Sequence, residues 1–126
     1  MTPHGVLADR FFAAIEAGDI DAIRTLYHPD AVIWHNTDSV EQSPQENLRV
    51  LKWLIRNFSA RRYDVRKRIV NDDGFVQQHV LHLGNENGAL AIHACVIVTI
   101  EHGCIVRLDE YIDSKQIGGL GGLITG

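Results

Sequence analysis

Apolar positions in the first third of the chain recur at helical spacing. Leu7, Phe11 and Ile15 stand four apart with Ala8 and Phe12 beside them, which predicts a helix with one apolar stripe. Gly18 supplies its stop and Asp19 a cap for the next helix. Ile20, Ile23, Leu26 and Tyr27 keep the same period until Pro29, which pushes residue 28 out of helical geometry. Ala31-Val32-Ile33-Trp34 is short, β-branched and aromatic, and predicts a strand. Ser43-Pro44-Gln45-Glu46 then carries the parts of a capping box: a hydroxyl for an orphan N–H, a carboxylate that reaches back, and a proline at the first helical position. Leu48, Leu51, Ile55 and Phe58 mark the amphipathic helix that follows.

From Tyr63 the period falls to two. Turns at Asn71-Asp72-Asp73-Gly74, Asn85-Glu86-Asn87-Gly88 and Glu101-His102-Gly103 divide the remainder into four strands, near 63–71, 75–84, 89–101 and 104–113. The predicted architecture is α+β. A cone-shaped, curved antiparallel sheet carries three N-terminal helices on its concave side and encloses a pocket. Residues 1–126 read as a single domain, with glycine-rich 118–126 as a short turn and flexible tail.

Strand alternation says which side chains share the pocket face. A turn centred on His102 sets Ala94 across from Glu110. The preceding turn sets His79 across from Val96 or from Ala94, depending on whether it centres on Asn87-Gly88 or on Glu86-Asn87. Either way Gln77, His79, Ala94, Val96, Leu108 and Glu110 fall on one face, with Leu81, Leu83, Ile92, Val98 and Val106 among them. Gln78, His82, His93, Cys95, Arg107, Asp109 and Tyr111 fall on the other, and a bulge in the long third strand of the meander would flip part of this assignment. An apolar wall with a few polar groups is what a small-molecule cavity requires. A histidine beside a carboxylate is suited to moving protons there, so His79 and Glu110 are the candidate catalytic pair. Trp34 and Asn36 alternate together on the first strand. With Gln77, Val96 and Leu108 they are the candidate substrate-binding residues. The same groups would also serve as a satisfied polar cluster in a core.

The 126 residues hold 12 Lys plus Arg against 16 Asp plus Glu, a net charge of −4, which argues against a nucleic-acid partner. No apolar run is long enough to cross a membrane, and the N-terminus lacks the marks of a signal peptide, so a cytoplasmic location is expected. Cys95 and Cys104 do not oppose each other and are not expected to form a disulfide. Seven histidines raise a metal reading, but His79 and His82 are three apart on a strand and point to opposite faces. No metal site and no organic cofactor are expected. The Gly118–Gly122 run lacks the Lys-Ser/Thr of a phosphate loop. Arg61-Arg62 and Arg66-Lys67-Arg68 read as solvated surface, and His35, which alternates away from Trp34, as exposed or at the rim. The meander strand 89–100 is apolar on both faces, so its convex side, with Cys95, Ile97 and Thr99, predicts a homodimer.

Two short helices, then Asp30-Ala31-Val32-Ile33-Trp34-His35-Asn36, a capped third helix, a meander and a closing Arg107-Leu108-Asp109-Glu110-Tyr111-Ile112-Asp113 resemble the nuclear-transport-factor-2-like superfamily, over about residues 5–117. Within it the chain is similar to the SnoaL-like polyketide cyclases and to the limonene-epoxide-hydrolase and ketosteroid-isomerase relatives. The resemblance implies a cystatin-like roll. It places Glu110 where the epoxide hydrolases carry a catalytic Asp, and where a SnoaL-type cyclase carries its acid–base carboxylate. Gln77-Gln78-His79 stands in place of the hydrolases' Arg-x-Asp, and Trp34-His35-Asn36 in place of their Tyr-x-Asn. Phe11 and Phe12 occupy the helix where the isomerases carry a Tyr. The implied function is a cofactor-independent acid–base enzyme, of cyclase, isomerase, hydratase, dehydratase or hydrolase type. Its substrate would be a small, largely apolar molecule of polyketide, terpenoid or steroid character. A non-catalytic binding or dimeric assembly module of the same fold is the alternative.

Overall fold

The computed structural model describes residues 2–124, and its first three helices begin on side chains that accept orphan backbone N–H groups. Helix α1 (Pro3–Ala17) starts at Thr2, whose hydroxyl accepts the Gly5 N–H at 3.2 Å. It stops at Gly18, which takes the left-handed conformation at φ 74°. Asp19 caps α2 (Ile20–Leu26) by accepting the Ala22 N–H at 3.1 Å. The reciprocal Ser43–Glu46 box opens α3 (Pro44–Asn57), with bonds of 3.2 and 3.0 Å. Tyr27 leaves the helical stripe that the sequence assigns it and begins strand β1 (Tyr27–His35).

Five more strands follow: β2 (Glu41–Gln42), β3 (Ala60–Asn71), β4 (Gly74–Asn85), β5 (Gly88–Glu101) and β6 (Cys104–Ile112). They form one curved, unclosed sheet in the order β2-β1-β6-β5-β4-β3. The meander pairs antiparallel as expected, whereas β1 lies parallel to β6. No hairpin joins those two strands, so no turn dictates their relative direction.

Of the two registers open for β4 and β5, the one with Glu86-Asn87 in the turn is adopted, and His79 pairs with Ala94. Between β5 and β6 the register differs from the expectation: Glu110 pairs with Val96, and Ala94 with Ile112. Two steps are the cause: the turn pairs Glu101 with Cys104 and so centres between His102 and Gly103, and a bulge adds the second step. Thr99 pairs with Arg107 but Ile100 with Ile105, which leaves Val106 as the extra residue. The offset of two keeps Glu110 on its assigned face. Before the bulge the faces exchange, so Ile105 rather than Val106 is fully buried in the core.

The main core lies between α1, α2 and the concave face, with Phe11, Phe12, Ile15 and Ile23 against Phe75, Val96, Val98 and Ile100. A second cluster gathers Phe58, Leu83 and Ile92 at the other end of the sheet. The chain after β6 differs from the expected turn and tail. Its described part forms two short helices, α4 (Ser114–Gly118) and α5 (Leu120–Ile124), and residues 125 and 126 lie outside the described residues. Ile117, Leu120 and Leu123 stand three apart and pack on the second cluster, an apolar stripe that the surrounding glycines obscure. Asn85 and Asn87 both donate to the Leu123 carbonyl at 2.8 Å. None of the helices in the described residues is long and apolar enough to cross a membrane.

Two arginines read as solvated are built into the structure. Arg61 donates to the carbonyls of Ile15 at 3.0 Å, Glu16 at 3.1 Å, Ile55 at 3.3 Å and Phe58, so one guanidinium ties the C-terminal ends of α1 and α3 together. Arg68 turns onto the concave face, where it meets Gln77 and Asp9.

Candidate active site

Helices and sheet leave a cavity of about 300 Å³ between them. Phe12 and Ile15 reach it from α1, Leu51 and Leu54 from α3, and Ile117 and Leu120 from the C-terminal helices. Val96 and Leu108 line its floor, as the strand alternation predicts. Glu110 and His79 also border it, and so do His35, Tyr27, Tyr63 and Asn47.

The carboxylate is held by a partner that the sequence did not assign to it. The parallel register sets His35 of β1 beside Glu110 of β6, and His35 Nε2 stands 3.2 Å from Glu110 Oε1. Both side chains are about one-fifth exposed. Burial disfavours the charged form of His35. The hydrogen bond to Glu110, the charge of Glu110 and that of Asp38 outweigh burial, and the imidazole pKa is raised. His35 Nε2 is therefore a proton donor to one carboxylate oxygen.

His79 is the opposite case. It is 1% exposed, with the rings of Phe12 and Tyr63 at 5.4 and 4.8 Å. Burial lowers its pKa; Glu110 pulls the other way and Arg68 adds to the lowering. Its Nδ1 lies 2.9 Å from Gln77 Nε2, while its Nε2 is buried without a hydrogen-bond partner. His79 and Glu110 thus border one cavity without bonding to each other. Ala94 and Val96 of β5 separate them, a spacing of roughly 10 Å for two strand intervals.

Two tyrosines complete the polar inventory. Tyr27 donates to Asn47 Oδ1 at 2.7 Å. Burial, then the charge of Glu110, holds both the Tyr27 and Tyr63 phenols well above their usual range, so both stay protonated. One carboxylate accordingly acts electrostatically on two imidazoles and two phenols.

Three of the expected binding residues sit elsewhere. Trp34 pairs with Asp109 on the convex face and packs edge-on against Tyr111 at 5.3 Å. Period-two alternation divides β1 into two equally apolar sets, and β6 selects Ile33 and His35 as the inner one. Asn36 prolongs the β1–β6 ladder with its side chain, donating to Ile112 O at 3.1 Å and accepting from Ile112 N–H at 2.8 Å. Gln77 is fully buried behind His79, with Arg68 Nε donating to its Oε1 at 2.8 Å. His93 is exposed on the convex face, and it is His35 that enters the cavity. Tyr27, Tyr63 and Asn47 carried no sequence signal beyond their apolar surroundings.

The sequence profile of the SnoaL-like domain family matches residues 8–108. Among curated proteins no relative matches the chain. Solved structures do. A candidate SnoaL-like polyketide cyclase from Shewanella putrefaciens superposes with a TM-score of 0.82 at 13% identity, covering 94% of this chain and 96% of its own. IdmH, a candidate polyketide cyclase from Streptomyces antibioticus, gives 0.82 at 16%, with coverage of 96% and 99%. TerC, co-crystallised with polyporic acid, gives 0.79 at 16%, with coverage of 94% and 98%. At such identities the likeness is one of fold. Together with a profile match that runs from within the first helix into the last strand, it makes this protein a member of the SnoaL-like domain family.

Proposed function

We propose that this protein is a cofactor-independent enzyme that moves a proton on carbon beside a carbonyl in a small, largely apolar molecule of polyketide, terpenoid or steroid character. The observation that carries this reading is one carboxylate, Glu110, bonded to His35 at the border of an apolar cavity that is also lined by His79, whose buried Nε2 has no hydrogen-bond partner. In the proposed reaction His35 occupies one oxygen of Glu110, and the other removes the substrate proton. His79, kept neutral, donates to the carbonyl oxygen as it becomes an enolate. A neutral imidazole is an effective electrophile here, because a fixed donor in a water-poor site stabilises the charge that develops. Returning the proton to a different carbon gives isomerisation; attack of the enolate on a second carbonyl of the same molecule gives cyclisation, and the proton held by Glu110 passes to the alkoxide that forms. Relatives described as polyketide cyclases, and one crystallised with polyporic acid, support the substrate class.

The test is exchange of the acidic C–H of β-tetralone in deuterium oxide, followed by NMR. The wild type accelerates exchange, and Glu110→Gln loses about 10²–10⁴ of that acceleration. A wild type that binds the ketone without speeding exchange is a binding module, and the enzyme reading fails.

The reading extends to a homodimer. Ile97 and Tyr111 are 43% and 47% exposed on the convex face, and Trp34 lies against Tyr111 there, an apolar patch suited to a second copy.

A further inference from the structure

We infer that Asp9, Arg68 and Gln77 form a relay that fixes which ring nitrogen of His79 carries the proton. The cavity wall at His79 is thereby a hydrogen-bond donor, selective for ligands that place an acceptor oxygen against it. The assignment follows from donor chemistry. Arginine has no acceptor, so the Gln77 atom that meets Arg68 Nε at 2.8 Å is its oxygen. The amide nitrogen is then the group 2.9 Å from His79 Nδ1, and it arrives as a donor. Nδ1 therefore accepts, and in the neutral ring the proton sits on Nε2. Arg68 cannot rotate its fork away without cost, because Nη1 donates to Asp9 at 2.6 Å and its guanidinium lies 5.9 Å from the Phe75 ring centre.

The relay runs from a half-exposed carboxylate on α1 to a ring nitrogen that is buried and unpartnered. Gln77 is 0% exposed and His79 1%, and Nε2 itself is closed to water, so a ligand meets it only once the side chains packed on the imidazole move aside. A buried N–H left unpaired is costly, so a ligand gains most by covering it with a carbonyl, enolate or phenolate oxygen. A ligand that brings an N–H or a hydrocarbon edge to the same place does not. Gln77 is thus a positioning residue that acts through His79. Naming a carbonyl as the ligand group rests on the function proposed above; the tautomer does not.

Nitrogen-15 NMR of the histidine-labelled full chain at neutral pH tests the relay without a ligand. The expected wild-type spectrum for His79 shows a protonated Nε2 and a bare Nδ1. In Gln77→Glu the new carboxylate accepts from Nδ1, and the spectrum changes to a protonated Nδ1. In the binding arm, the wild type holds β-tetralone about tenfold tighter than the hydrocarbon tetralin, and Gln77→Glu erases the preference. A wild-type His79 protonated at Nδ1 overturns the inference, and so does a folded Gln77→Glu with an unchanged His79 spectrum. Should that variant not fold, the wild-type spectrum alone decides. Equal binding of the two probes, or none, removes the selectivity. Slow exchange of β-tetralone with the tautomer intact would remove only the proposed enzyme.

Discussion

Arg61→Ala removes a guanidinium that bridges the ends of two helices. The guanidinium donates to four main-chain carbonyls, two at the end of α1 and two around the end of α3. Bonds from a charged donor contribute about 1.5–3 kcal/mol each when the acceptor is left bare and buried. Arg61 is only half-buried, so water replaces part of what is lost. Two bonds' worth, about 3–6 kcal/mol, is the expected destabilisation, a large share of the 5–15 kcal/mol typical of a domain. That corresponds to a fall of about 10–20 °C in Tm at this size. Arg61→Lys keeps the charge near both helix ends but not the planar fork. It should recover only the helix-dipole contribution, about 1 kcal/mol. Urea unfolding with a shared m-value measures both variants. A loss under about 1 kcal/mol for Ala, or full rescue by Lys, would show that the carbonyls are re-solvated and that the clamp does not hold α1 to α3.

The remaining predictions concern the cavity and the convex face. His35 has a raised pKa, so its pairing stabilises fully below 6.5 and the benefit decays as pH rises through the higher folded value. His79 has a lowered pKa, so its contribution is present above 6.5 and is lost on acidification. His35→Gln should therefore cost most near pH 5–6 and least near pH 8, and it should steepen the acid-side decline. Urea midpoints across that range check it, and a gap that widens with pH would reverse the sign of the argument. Ile97→Asp, at an exposed position, should convert the proposed dimer to monomer in sedimentation, whereas a wild type that is monomeric at micromolar concentration ends that proposal.

Local chemistry was open to reading from the chain alone. The Ser43–Glu46 box, the Gly18 stop and the three hairpin turns act over a few residues, and each appears where its side chains allow it. Alternation carried further still: it put His79, Val96, Leu108 and Glu110 on one face, because side chains two apart in a strand share a side and the β5–β6 offset beyond the bulge is an even one. Tertiary structure decided the rest. Nothing local says that β1 docks parallel on β6, so nothing local says that His35, rather than Trp34, turns inward to Glu110. The bulge at Val106 answers to sheet curvature, and Arg61 earns its role only when two helices distant in sequence end side by side. Short-range bonds and alternation belong to the sequence; which of two equivalent faces is buried is settled by the partner strand, and that choice exists only once the sheet has curved around its core.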